Sequence, residues 1–412
     1  MAGTNKKLIT LLVVVPIVCA LAIYGILSAG FGMLINTVDK RAEEGSISYK
    51  TLHFTDGMVM RQLTCTNGIQ CFYYSDGSVY QYYENSDPVL LADGISFLDS
   101  MAATEDYLYF VFIEEGSKGV LKRIDLKTGG IITLGDSQDI SQVAVFDRDV
   151  FIAETTDGTY NSQKIYLLKD GKTDSETYIE LNSLLAAGEK LNDAVNYKPS
   201  DYLVKKVLGD YEIWGNYNEK SGSFQVNCIV SVEENRVIAY FGEPNSENYV
   251  YDNQKMTRFY IDQYKNTGTG DWRDIQSLKA DKYPTGVHFD HIFTEGGHIV
   301  GLAQFAYNFT YNQLQKFNRG DGLFYLDPDT GESGMIYRTE DNKTRIIGYL
   351  GRQAYLLRNY KILAYDPIAK IETEIGELEP YDRYVFDWCG GKLFVFMQDD
   401  SLNVTLFKVV TP

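Results

Sequence analysis

Three features of this 412-residue chain point to an all-β fold and, within it, to a β-propeller. Tyr and Phe are abundant, at 32 and 21 residues, and Pro is scarce, at 9. That bias suits the pleated, half-buried surface of strands. Beyond about residue 50, helical periodicity is nearly absent, and short apolar-aromatic runs recur between Gly, Asp and Asn turns. Finally, one frame of strand, Asp, turn and strand repeats at a spacing close to that of propeller blades.

The chain begins with a segment of a different kind. Residues 1–7 (MAGTNKK) carry two Lys and read as a cytoplasmic tail, and residues 8–35 contain no charge. A helix of that length spans about 42 Å, more than the ~30 Å hydrocarbon core requires. It is also longer than the apolar region of a secretory signal. The expectation is a transmembrane signal-anchor helix, N-in by the Lys6–Lys7 pair, with Lys40 and Arg41 beyond it balanced by Asp39, Glu43 and Glu44. Two rivals are a cleaved signal at Ala20-Leu21-Ala22, which would leave an apolar new terminus, and lipidation at Cys19, where Val18 is a poor preceding residue. Residues 36–49 read as a polar stalk, which places residues 50–412 outside the cytoplasm at the cell membrane.

Within 50–412, GVLKRIDLKTGG (Gly119–Gly130), DGLFYLDPDTGE (Asp321–Glu332) and NYKILAYDPIAKIETE (Asn359–Glu374) share the frame. SQKIYLLKDGKT (Ser162–Thr173) fits without the Asp, and weaker copies lie at Ser78–Leu91, Phe224–Phe241 and Asn403–Val410. Anchor positions at Tyr82, Ile124, Leu167, Ser231, Leu326, Tyr365 and Lys408 are separated by 42, 43, 64, 95, 39 and 43 residues. A period of about 40–45 with four strands per unit is the mark of propeller blades. The 64-residue gap holds a short helical insertion near residues 181–193, and the 95-residue gap hides a diverged blade around Arg258–Asp262. Seven blades is the count this spacing favours, with six and eight as the alternatives.

The segments Tyr107–Gly130 and Gly320–Glu332 resemble extracytoplasmic propellers of the low-density-lipoprotein-receptor YWTD type, in a bacterial, membrane-anchored branch. The resemblance runs from Lys50 to Val410 and is carried by blade outline, since the YWTD tetrapeptide itself is absent. It implies the propeller fold and specifies no ligand.

Composition limits the partners. The net charge is −18, with 56 acidic against 38 basic residues, so no nucleic-acid partner is expected, because phosphate binding needs a basic face. No G-x-S-x-G, H-E-x-x-H or P-loop pattern occurs. No catalytic residue can be singled out and no cofactor is expected. His288, Asp290, His291, Glu295 and His298 form the one local cluster of metal-type ligands. In a regular strand, positions i and i+3 face opposite ways, so His288 and His291 converge only across a bend. The Gly296-Gly297 turn would return His298 toward them. Asp327-Pro328-Asp329-Thr330-Gly331-Glu332 begins like a calcium loop, but the repeat explains it as a hairpin turn.

Cys65 and Cys71 bracket CTNGIQC and are the disulfide candidate, although only an odd-length loop would set them face to face. Cys228 and Cys389 sit in apolar strand contexts and read as buried thiols. The sequons at Asn308, Asn342 and Asn403 matter only in a glycosylating host. The functional expectation is a binding or scaffolding module, single-pass in the membrane, for an extracytoplasmic envelope protein or glycan. Its rival is a glycan-processing enzyme using carboxylates in the propeller funnel, with surface Tyr stacking on sugar rings.

Overall fold

The fold is seen in a computed structural model that describes residues 63–412, apart from 114–118, 136–138, 156–162, 172–177, 195–200, 242–247, 253–254, 261–262, 267–270, 279–286, 296–297, 306–319, 340–343 and 382. The expected tail (1–7), membrane span (8–35) and stalk (36–49) lie outside the described residues. Among the described residues, no helix is long and apolar enough to cross a membrane.

The strands fall into eight antiparallel sheets, covering 64–92, 98–135, 139–180, 189–240, 248–274, 287–338, 344–377 and 384–410 (blades 1 to 8). First strands meet around the inside. Thr64–Thr66 of blade 1 touches Leu98–Ala103 of blade 2 on one side and Tyr384–Cys389 of blade 8 on the other. Leu98–Ala103 in turn touches Asp139–Phe146 of blade 3. The last sheet therefore closes on the first, and the fold is an eight-bladed β-propeller.

Eight blades correct the count of seven that the spacing favours. The seven anchors fall one per sheet. The 95-residue gap holds a complete further blade, with strands Asn248–Asp252, Lys255–Tyr260, Gln263–Asn266 and Arg273–Asp274. These strands are short and carry no Asp-turn-Gly signature, so the blade adds a unit without adding a copy of the frame.

The repeat is built by one local hydrogen-bond pattern. Asp125 Oδ1 accepts the backbone N–H groups of Lys127 (2.9 Å) and Thr128 (2.8 Å). Asp327 does the same for Asp329 and Thr330, and Asp366 for Ile368 and Ala369. In each copy the residue four positions on has positive φ: Gly129 (71°), Gly331 (81°) and Lys370 (56°). Its N–H donates to the Asp carbonyl at 2.8 Å. An Asx turn of this kind lets the side chain stand in for a backbone acceptor, and it accounts for the acidic residues at Asp327–Glu332 as a turn.

Apolar packing lies mainly between blades. One cluster joins Tyr109 and Val111 of blade 2 to Val150 and Ile152 of blade 3. Another joins Val300 and Leu323 of blade 6 to Ile346 and Leu356 of blade 7. Alternation makes this arrangement available, because each strand offers one set of side chains to either neighbouring blade.

Blade 4 departs from the pattern. It has five strands, and its last strand, Arg236–Tyr240, touches the inner strands Asp139–Phe146 and Asn248–Asp252. The chain therefore enters this blade at the rim and walks inward. A short helix, Leu181–Leu185, makes the entry, burying Leu181 and Leu185 against Phe151, Ile165, Val204 and Ile213. Asn182 ties the two blades together: its Oδ1 accepts Ile165 N–H at 2.7 Å and its amide donates to the Phe224 carbonyl at 3.2 Å. The helix is shorter than the expected insertion near 181–193, since Glu189–Ala194 forms the outer strand of blade 4. Gly188 sits where the chain turns, and a Cβ there would lie 2.8 Å from the Lys205 carbonyl oxygen.

Candidate functional site

The rim between blades 1 and 2 carries an open groove of about 380 Å³. One wall is the outermost strand of blade 1, Val89–Ala92, continuing through Asp93 and Gly94 to Ile95. The floor is Phe110 and Phe112, both buried, whose rings lie 5.9 Å apart. Lys122 crosses the floor with its ammonium 4.7 Å from the Phe112 ring centroid, a cation–π placement. Ile131, on the outermost strand of blade 2, forms the opposite lip.

Each lip carries an exposed apolar side chain, Leu90 at 52% and Ile131 at 46%. Scattered exposed apolar residues are ordinary, but apolar side chains facing each other across a groove with an apolar floor suit a contact surface. The sheet order ends at Val89–Ala92, so among the described residues this strand pairs along one side only. Its other edge offers backbone donors and acceptors to an added strand. The run VLLA was legible as a strand, but only the arrangement of the sheets shows it to be an edge.

The five metal candidates lie in blade 6. His288, Asp290, His291 and Glu295 are on the strand Val287–Glu295, and His298 opens the next strand. The ladder pairs His288 with Gln304, His291 with Leu302 and Glu295 with His298, with a bulge at Asp290. Because Gln304, Leu302 and His298 are spaced by even steps, the bulge brings His288, His291, Glu295 and His298 to positions on one face. A regular strand would have put His288 and His291 on opposite faces. The side chains of these five residues lie outside the described set. Among the residues that are described, no group of three or more His, Cys, Asp or Glu side chains is placed to hold a metal ion.

The cysteines meet at the seam where blade 8 closes on blade 1. The loop joining the first two strands of blade 1 has four residues, Asn67–Gln70, so Cys65 pairs with Phe72 and Thr66 with Cys71. This even-length loop leaves Cys65 and Cys71 one step out of register, on opposite faces of the hairpin, and both thiols are free. The sulfur that faces Cys71 belongs to Cys389, which sequence reading treated only as a buried thiol. Cys389 Sγ donates to the Cys65 carbonyl oxygen at 3.0 Å, and Cys71 lies close enough for the two thiols to interact.

Further contacts join this seam. Thr64 N–H donates to Asp387 Oδ2 at 3.0 Å, Asp76 N–H to the Val404 carbonyl at 2.9 Å and Leu406 N–H to Ser75 Oγ at 2.9 Å. Burial pushes the Asp387 carboxyl up to about 6. Interaction with Cys389 lowers the Cys71 thiol from its ordinary value against the opposing effect of burial, with help from the Thr66 hydroxyl and the Lys392 ammonium. Cys389 is driven far up, first by that same interaction and then by burial. Cys65 is raised chiefly by burial.

No family model matches the chain, and no curated protein matches it. Solved structures do. A puromycin hydrolase is 10% identical with a TM-score of 0.41, over 82% of this chain and 50% of its own, so the chain spans half the length of that protein. An oligogalacturonate lyase from Vibrio parahaemolyticus is 10% identical with a TM-score of 0.39, over 86% and 90%. A nidogen/laminin complex is 10% identical with a TM-score of 0.28, over 66% and 94%.

Proposed function

We propose that this protein is a membrane-anchored, extracytoplasmic β-propeller that works as a binding module for an envelope protein. The groove between blades 1 and 2 is the observation that carries the reading. Its occupant would be an extended, apolar, uncharged or cationic segment of the partner, added along the edge of Val89–Ala92 with side chains over Phe110 and Phe112. Main-chain hydrogen bonds would supply affinity, and the two apolar lips selectivity. The net charge of −18 disfavours an acidic partner. Placement at the membrane is supported by the uncharged run at residues 8–35 followed by the polar stretch 36–49, and the bacterial, membrane-anchored YWTD-type resemblance agrees with it.

The test is in-cell crosslinking followed by purification of the full-length protein from membranes and mass spectrometry, comparing wild type with the double variant Leu90→Asp/Ile131→Asp. Both side chains are about half exposed, so the variant should keep the wild-type melting temperature within a degree or two. A near-stoichiometric partner captured by wild type and lost from the variant is the expected result. A partner retained by the variant would move the binding face elsewhere on the propeller, and wild type recovered alone would end the protein-partner reading.

A further inference from the structure

We infer that Cys71 and Cys389 form a redox-controlled clasp: a disulfide that covalently closes the ring between its first and last blades. The inference is independent of the rim groove and of the partner proposed for it. It rests on the geometry of the seam. Cys71 opens the second strand of blade 1, Cys71–Ser75, and Cys389 ends the first strand of blade 8, Tyr384–Cys389. Cys71 Sγ lies against the backbone of Gly390, the residue after Cys389, and Cys389 Sγ reaches back to the Cys65 carbonyl oxygen at 3.0 Å, so both sulfurs sit at the same point of the seam.

The chain leaves room for this pairing. Gly390, at φ 54°, follows Cys389 directly, and a Cβ there would stand 2.7 Å from Cys71 Sγ. Glycine at that position thus answers both a left-handed backbone and the need to admit the Cys71 sulfur. Cys65 is excluded as the partner by register, since it faces away from Cys71.

A clasp has a task at this place. Blade 8 has three strands among the described residues, and its contacts with blade 1 are side-chain packing and isolated hydrogen bonds, with no shared ladder. A bond from Cys71 to Cys389 would tie off nearly all of the described chain as one loop. Cross-links over long loops restrict the unfolded chain most in the entropic model.

The chemistry is thiol–disulfide exchange with a small-molecule or protein disulfide, RS–SR, as the oxidant. Cys71 is the more exposed of the pair. Its thiolate attacks one sulfur of RS–SR, forming Cys71–S–SR and expelling RS⁻ with the electron pair of the broken S–S bond. Cys389 then gives its proton to RS⁻, and its thiolate attacks Cys71 Sγ and expels the second RS⁻, which takes a proton from solvent. Two thiols lose two hydrogens in all, and one RS–SR becomes two RSH. The reverse exchange with excess thiol reopens the seam.

The full-length protein is equilibrated in oxidised and reduced glutathione at graded ratios, quenched with an alkylating agent and digested without reduction. The expected product is a single linked peptide pair carrying Cys71 and Cys389, with a melting temperature several degrees above that of the reduced form. In Cys389→Ser, glutathione should instead accumulate on Cys71 and the redox-dependent difference in melting temperature should vanish. Should that variant fail to fold, Cys71→Ser, altered at the more exposed site, should likewise show no redox-dependent shift. A Cys65–Cys71 link, a lasting glutathione adduct on wild-type Cys71, or a Cys71–Cys389 link that leaves the melting temperature unchanged would each overturn the clasp.

Discussion

Asp387 shows how the ring seam uses titratable groups. Its two oxygens accept the N–H groups of Thr64 and Trp388, yet burial outweighs these bonds and sets the carboxyl near 6, above the ordinary value of 3.8. Between those values the folded state binds the proton more tightly than the unfolded state does, so stability falls as pH rises through the interval and levels off above about 6. A shift of this size is worth no more than about 3 kcal/mol. Asp387→Asn keeps an acceptor for Thr64 without the charge. Urea melts at pH 4 and pH 7 should show a smaller difference in the variant than in wild type. An unchanged difference would mean that the slope arises elsewhere.

The turns that end each frame were legible from sequence because their cause is local. An Asp followed by a left-handed residue four positions on is sufficient, and the same hydrogen bonds appear after Asp125, Asp327 and Asp366. Asp366→Ala removes the acceptor for two backbone N–H groups in the last turn of blade 7 and should cost about 1 kcal/mol, while Asp366→Asn, which keeps the oxygen, should cost less. Chemical denaturation of the two variants side by side measures this, and equal losses would assign the effect to backbone conformation. The segment after Leu185 was less legible. Leu181–Leu185 is helical as expected, but Glu189–Ala194 joins a sheet because the strand Asp201–Leu208 presents an edge to it. Strand pairing of that kind is settled by the neighbour, and the segment's own composition is silent about it.

The ring is held by packing between successive blades, so its stability depends on closure. Blade 8 supplies Phe394 and Phe396 to the cluster shared with blades 1 and 2, and Leu393 and Val395 to the cluster shared with blade 7. Removing residues 384–412 would expose both apolar faces at once. That truncated chain should be recovered as aggregate, with no soluble monomer in size-exclusion chromatography. A soluble monomer with the far-ultraviolet spectrum of the full chain would show that seven blades suffice.

By itself the sequence determined the all-β architecture and the turns after Asp125, Asp327 and Asp366, which are written in residues a few positions apart, and also the propeller repeat and the place of the diverged blade, which the spacing between copies of the frame marks. Tertiary structure decided the rest. Eight blades follow from how the sheets pack against one another around the ring, and the inward path of blade 4 from which strand reaches the inside. The rim groove follows from which strands are left as edges. Cys71 faces Cys389, far away in the chain, because a four-residue loop turns Cys65 to the other face and ring closure brings the last blade against the first. Pairings across that distance depend on the closed shape, and no spacing within the sequence encodes them.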